Sequence, residues 1–264
     1  KKELLKSAGA FRKLIRLYPK HPRVDAALFS LGKTLSRLEN RNAEIYFKRL
    51  IKNHKSSVLL SDAYLALGEY YFDKNKVSQA KAAYKKAIRF KGSKTYPYAV
   101  YKLGWTYYNS AEDTYSENMR KALAAFKLVV RLSEKQKRVS GLDLRKEALS
   151  DLVMVWAEIE GVNDAWAYFS KMDEYEAFYD VLERLGNTYI EQGKNKKAIA
   201  SFTRLLKEAP HRERSPEIYK KLLQQRDLIG DSAGIIRDLK KMHSLFFLGK
   251  GTWFSKNNDK ELRR

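Results

Sequence analysis

The four histidines, His21, His54, His211 and His243, are the side chains of this 264-residue sequence that titrate nearest to neutral pH. No two stand three or four residues apart, and no His-Glu-x-x-His run occurs, so the helical spacing that grips a catalytic metal is missing. Cysteine is absent, which excludes disulfides, thiolate zinc sites and cysteine nucleophiles. No Gly-x4-Gly-Lys-Ser/Thr loop is present to cradle a phosphate, and Gly249-Lys250-Gly251 is too short to do so. No Gly-x-Ser-x-Gly elbow presents a serine. Carboxylates are plentiful, but without a closed cleft their pKa values have no reason to move toward neutrality. The expectation is no catalytic residue, no metal, no cofactor and no enzymatic activity.

Charge is the next signal. Lysine and arginine total 53 against 31 acidic residues, a net charge of +22. The excess is uneven: +20 over residues 1–139, −4 over 140–210 and +6 over 211–264. Such a surface suits an acidic partner, whether protein, nucleic acid or anionic lipid, although a merely solvated face has the same composition. The hydrophobic share of 44% is enough for a sizeable core. No apolar run is long enough to cross a membrane as a helix. The opening Lys-Lys-Glu-Leu-Leu-Lys carries no initiator methionine and reads as the start of a processed or excised fragment.

The elements that would position any site emerge from a repeat. Leu31-Gly32, Leu67-Gly68, Leu103-Gly104, Leu152-Val153 and Leu185-Gly186 recur at spacings of 36, 36, 49 and 33 residues. Each is followed by an alanine and, four residues on, an aromatic: Ala43/Phe47, Ala80/Tyr84, Ala122/Phe126, Ala165/Phe169 and Ala198/Phe202. A small residue on one helix and another on the next let two backbones approach, and aromatics then fill the space between hairpins. Polar turns at 73–76, 161–164 and 192–195 separate the paired helices.

This pattern resembles the tetratricopeptide repeat. Tyr64-x2-Leu67-Gly68-x2-Tyr71 with Ala80-x3-Tyr84-x2-Ala87 matches it nearly throughout, as does Leu182-x2-Leu185-Gly186-x2-Tyr189 with Ala198-x3-Phe202 and Pro210. The resemblance implies an all-α, right-handed superhelical solenoid of antiparallel helix pairs, with about five full repeats and partial repeats at both ends. The expected organisation is a basic array over 1–131, an irregular connector over 132–143 and a second array over 144–242. Residues 243–264 form a tail or begin a further repeat. Residues 1–19 supply only a second helix, and 215–242 a degenerate sixth hairpin opened by Ser215 as N-cap and Pro216 in the first turn. In the third full unit, Gly104 to Ala122 is six residues longer than the family spacing, and the excess is the acidic loop 110–118. That loop reads equally as a tolerated insertion or as a binding edge.

In the family, fixed positions on the first helix of each hairpin line a concave groove. Carried over, they give Ala26, Phe29, Lys33 and Ser36 in the first unit, then Asp62, Leu65, Glu69 and Phe72. The third unit gives Tyr98, Tyr101, Trp105 and Tyr108. The fourth gives Glu147, Ser150, Met154 and Ala157, and the fifth Asp180, Glu183, Asn187 and Ile190. The groove should be aromatic in its middle and acidic toward its C-terminal side, favouring a basic or polar segment with apolar anchors. The tyrosine and tryptophan stripe reads either as core or as a binding surface; Val100, Leu103 and Tyr107 already occupy the core-facing places of that helix. The acidic positions serve either solvation and helix pairing or ligand contact. The lysine-and-asparagine clamp of chaperone-binding members is missing: the matching places hold Lys33, Glu69, Trp105 and Met154.

Most cations lie elsewhere. Lys48, Arg49 and Lys52, then Lys81, Lys85, Lys86 and Arg89, fall on the outer faces of second helices and should make a basic convex surface. The opening Phe-Arg-Lys-Leu-Ile-Arg-Leu-Tyr-Pro-Lys-His-Pro over residues 11–22 is similar to repeats of bacterial envelope scaffolds of the outer-membrane assembly and Tol-Pal coordinator type. Large repeat proteins of gliding-motility complexes look similar in this respect. That likeness implies a periplasmic or envelope-associated location, with the cytoplasm as alternative. The expected function is a non-enzymatic scaffold that binds a peptide or partner helix in the groove. The alternative is a helical-repeat protein that binds nucleic acid through the basic convex surface, with steep salt dependence.

Overall fold

A computed structural model describes residues 1–133, 144–171, 175–246 and Trp253. Among these, thirteen α-helices and no strand are found. They are α1 (Lys2–Leu17), α2 (Val24–Arg37), α3 (Ala43–Asn53), α4 (Leu60–Asp73), α5 (Val77–Ala87), α6 (Tyr96–Tyr108) and α7 (Tyr115–Ser133). There follow α8 (Leu144–Ile159), α9 (Val162–Phe169), α10 (Tyr175–Glu191), α11 (Asn195–Glu208), α12 (Ser215–Leu228) and α13 (Ser232–Phe246). The chain is all-α, in pairs of antiparallel helices. Most of the connector expected over 132–143, and the tail beyond Phe246 apart from Trp253, lie outside the described residues.

The chain divides into two compact units, Lys1–Leu149 and Ser150–Arg264, the division falling within α8. In the first unit, α2/α3, α4/α5 and α6/α7 are hairpins, and α1 packs against α2. The reason is visible in α5. Ala80, Ala83, Tyr84 and Ala87 recur at helical spacing and are buried, while Lys85, Lys86 and Arg89 face water.

The first helices of four hairpins end alike. Glu39, Asn75, Gly193 and Gly230 adopt positive φ of 55°, 56°, 67° and 70°. The amide after each donates to a carbonyl five residues back: Asn40 to Leu35, Lys76 to Tyr71, Lys194 to Tyr189 and Asp231 to Arg226, at 2.8–2.9 Å. This left-handed close satisfies helix-end carbonyls and turns the chain back on itself.

Within each hairpin the glycine meets the aromatic. A Cβ placed on Gly32 would stand 2.5 Å from the Phe47 ring, one on Gly68 2.5 Å from Tyr84, and one on Gly104 2.8 Å from Phe126. Gly186 meets Phe202 in the same way. In the second unit Val153 holds the equivalent place and is fully buried. There Trp156 packs at a tilt against Tyr168 and Phe169, with ring centroids 5.1 and 5.2 Å away.

Two expectations need correction. Ser215 does not cap α12; it lies inside the helix, buried, and its hydroxyl donates to the Ala209 carbonyl at 3.4 Å. The insertion at 110–118 is only partly a loop, because α7 already starts at Tyr115. Asn118 is buried and its amide donates to the carbonyls of Ser110 (2.8 Å) and Asp113 (3.3 Å). Lys121 pairs with Asp113 and Glu117, and Glu112 with Lys81, so the insertion is tied down to its own unit.

Candidate partner-binding wall

In the first unit α2, α4 and α6 touch one another directly, whereas the second helices touch one another less. The first helices therefore form the inner wall, and a polar ladder runs across it. Lys33 of α2 donates to Glu69 of α4 at 3.4 Å. The negative charge of Glu69 acts on the Tyr98 hydroxyl of α6, and the Lys102 ammonium stands 5.4 Å from the Tyr98 ring centre. Burial pushes the Tyr98 hydroxyl pKa up. Burial also raises that of Asp62, against the opposing pull of Lys33 nearby.

Beside the ladder lie the aromatics. Tyr98 stacks with Tyr101 at 6.2 Å, Trp105 meets Tyr108 edge-on at 5.5 Å, and both Tyr101 and Trp105 rest against Phe126. All four stripe residues keep part of their surface in water. The core side of α6 is filled instead by Val100, Leu103 and Gly104. Phe29 and Phe72 are also partly exposed.

Three of the expected wall residues, Leu65, Ala157 and Glu183, are not on the open surface. Leu65 is 7% exposed and Glu183 only 2%. Leu65 joins the apolar core of its unit. Glu183, in the second unit, is held by Arg214 at 2.9 Å and Lys221 at 3.1 Å. Part of the expected acidic character is neutralised with it: Asp180 pairs with Arg212 at 3.2 Å, and Glu69 with Lys33. Met154 and Asn187 are partly exposed and Glu147 is exposed.

Of the expected basic surface, Lys48, Arg49, Lys52, Lys85, Lys86 and Arg89 are exposed. Lys81 is mostly covered, because it turns to Glu112. Lys48 pairs with Glu44 and lies over the Tyr71 ring, and Lys85 lies over that of Tyr107.

Sequence reasoning missed a buried ionic cluster in the second unit. Arg226 of α12 is 4% exposed and Asp238 of α13 is 2% exposed; its Nε donates to Asp238 at 2.6 Å. Its second partner is Asp231, whose other oxygen accepts the Gly234 amide at 2.9 Å. The hydrogen bonds from Gly234 and Arg226 hold the Asp231 carboxyl below the usual range. In the same unit Trp253 is buried and its indole N–H donates to the Arg212 carbonyl at 2.7 Å. Among the described residues no cluster of three or more histidine or carboxylate groups is placed to hold a metal. No helix among them is long and apolar enough to cross a membrane.

Comparison with known proteins agrees with this geometry. Family models described as tetratricopeptide repeat match residues 61–93 and 180–211. YrrB, whose crystal structure is described as that of a TPR protein with an unusual peptide-binding site, is similar in fold. Its TM-score is 0.50 at 20% identity, over 81% of this chain and 99% of that one. A tetratricopeptide repeat protein from Parabacteroides merdae ATCC 43184 also has a TM-score of 0.50, at 16% identity, over 99% of this chain and 90% of that one. Curated protein sequences give no match. Four glycine–aromatic contacts, four left-handed helix closes and two matched repeats lead to one conclusion: the chain carries tetratricopeptide repeats at 61–93 and 180–211 within a fold similar to that of tetratricopeptide-repeat structures.

Proposed function

We propose that this protein is a binding scaffold, without catalysis of its own, that takes a peptide or helix of a partner protein on the inner wall of its first unit. The observation that carries this is the α6 stripe. Tyr98, Tyr101, Trp105 and Tyr108 keep exposed surface although Val100, Leu103, Gly104 and Phe126 already complete the hairpin. Aromatic side chains give large contact area at little entropic cost, which suits an anchor for a partner's apolar residues. Phe29 and Phe72 extend the apolar strip, and the Lys33–Glu69 pair leaves polar groups at its edge to fix a partner's register. The peptide-binding site described for YrrB, which has a similar fold, is in keeping with this reading. An envelope location rests on residues 11–22 alone.

The test is recovery of partners from source-cell extract with the whole chain as bait. Tyr101→Ala with Trp105→Ala should abolish recovery of proteins that the wild type retains, while Lys52→Gln leaves them. Equal recovery by the double variant and the wild type refutes the wall as the site.

A further inference from the structure

A cleft of about 670 Å³ opens on the first unit between α1 and α3, and none of its lining residues belongs to the wall. Gly9, Arg12, Lys13 and Arg16 of α1 line it at the i, i+3, i+4, i+7 spacing of one helix face, and Tyr46 and Arg49 of α3 face them. The charges are uncompensated. The only acidic residues of α1 and α3 are Glu3 and Glu44, and these pair with Lys6 at 3.5 Å and Lys48 at 3.7 Å. Among the described residues no carboxylate forms an ion pair with Arg12, Lys13, Arg16 or Arg49. The wall differs, since Lys33 there is matched by Glu69.

Gly9 adds an independent observation. The glycines of the hairpins are pressed by an aromatic ring, but a Cβ on Gly9 would meet nothing within 4 Å. A glycine inside a helix lowers helix stability, and here no crowding requires it. Its effect is to leave bare, exposed backbone on the lining of the cleft, where another chain can come close.

We infer that this cleft binds an extended acidic segment of a partner protein. Arginine forks take carboxylates two bonds at a time. Arg12 and Arg16 are one helical turn apart, a rise of about 6 Å. Alternate residues of an extended chain are about 6.6 Å apart, so carboxylates at every second position fall beside successive arginines. Tyr46 offers the aliphatic parts of the peptide an apolar side. The four cations are exposed along the cleft, and an extended chain lying in it can reach them in turn. They span only one to two turns, a short track for a nucleic acid, whose phosphate contacts add along the strand. The site lies on other helices than the wall, so it stands whether or not the wall binds a peptide.

The experiment measures fluorescence anisotropy with the whole chain and a fluorescein-labelled peptide of alternating glutamate and alanine, beside its glutamine counterpart. A single-stranded oligonucleotide and phosphatidylserine vesicles serve as competitors. The glutamate peptide should bind and the glutamine peptide should not. Arg12→Gln with Arg16→Gln should weaken binding about tenfold or more, through loss of two charge-assisted forks. Lys52→Gln with Lys55→Gln, exposed but outside the cleft, should leave it within about twofold, as expected of screened surface charges. Gly9→Leu fills open space, so it should weaken binding while leaving the thermal midpoint undiminished. Equal losses from the two charge pairs, no binding by the wild type, full binding by Gly9→Leu, or stronger Arg12-dependent binding to the oligonucleotide or vesicles would each overturn the proposal.

Discussion

The ring of Tyr84 occupies the place where a side chain on Gly68 would begin, 2.5 Å from the position of its Cβ. Tyr84 is fully buried, and burial raises its hydroxyl pKa far above the ordinary phenol value. A ring confined in this way cannot swing aside. Gly68→Ala should therefore destabilise the protein by about 1–3 kcal/mol through overpacking, although alanine is the better helix former. Gly9→Ala should do the reverse and gain up to about 1 kcal/mol. Urea unfolding followed by circular dichroism measures both; equal signs for the two substitutions would contradict the packing described.

The Arg226–Asp238 pair is buried on both sides, with Asp231 also on Arg226 and Arg237 3.6 Å from Asp238. Asp238→Ala should cost about 3–5 kcal/mol by leaving the guanidinium short of a counter-charge. Arg226→Met combined with Asp238→Leu should cost much less, because no isolated charge remains in the interior. The two unfolding midpoints decide it.

Two tryptophans of the two units should answer alanine differently. Trp156 is 2% exposed and clamped by Tyr168 and Phe169, and Trp156→Ala should cost about 3–5 kcal/mol. Trp105 retains exposed surface, and Trp105→Ala should cost about 1–2 kcal/mol. A Trp105 variant as unstable as the Trp156 one would mark the stripe as core.

Acid sensitivity should trace partly to Asp25. The Ser57 hydroxyl donates to it at 2.5 Å, the Ala26 amide at 2.8 Å, and the carboxyl is held below its usual range, the Ser57 bond being the largest cause. A depressed carboxyl contributes stability that is full above its unfolded pKa and is lost as pH falls through the folded one. Asp25→Asn should thus be less stable than wild type at neutral pH by under about 1 kcal/mol, since water screens most of the effect. The difference should shrink below the ordinary carboxylate range, and thermal melts across that range would show it; a gap that widens in acid is the contrary result.

The hairpins were legible because their determinants are local. Leu-Gly followed by Ala-x3-aromatic names the two surfaces of a hairpin some sixteen residues apart, as Gly68 and Tyr84 show, and the helical period then places each surface. The same period set the stripe of α6 apart from Val100 and Leu103, which take the inward positions, but left open how much of it is covered; the structure leaves all four rings partly exposed. The fate of the carboxylates did not follow. Glu69 is matched by Lys33 at a separation of 36 residues, and Glu183 by Lys221 at 38. Arg226 and Asp238 come together only when α13 folds over α12. Those pairings, the burial of Leu65 and the open space at Gly9 depend on the stagger and rotation of one hairpin against the next. Periodicity along a single helix carries no record of that geometry, so chain order determined the repeats, and packing between them decided which charges are paired and which side chains are buried.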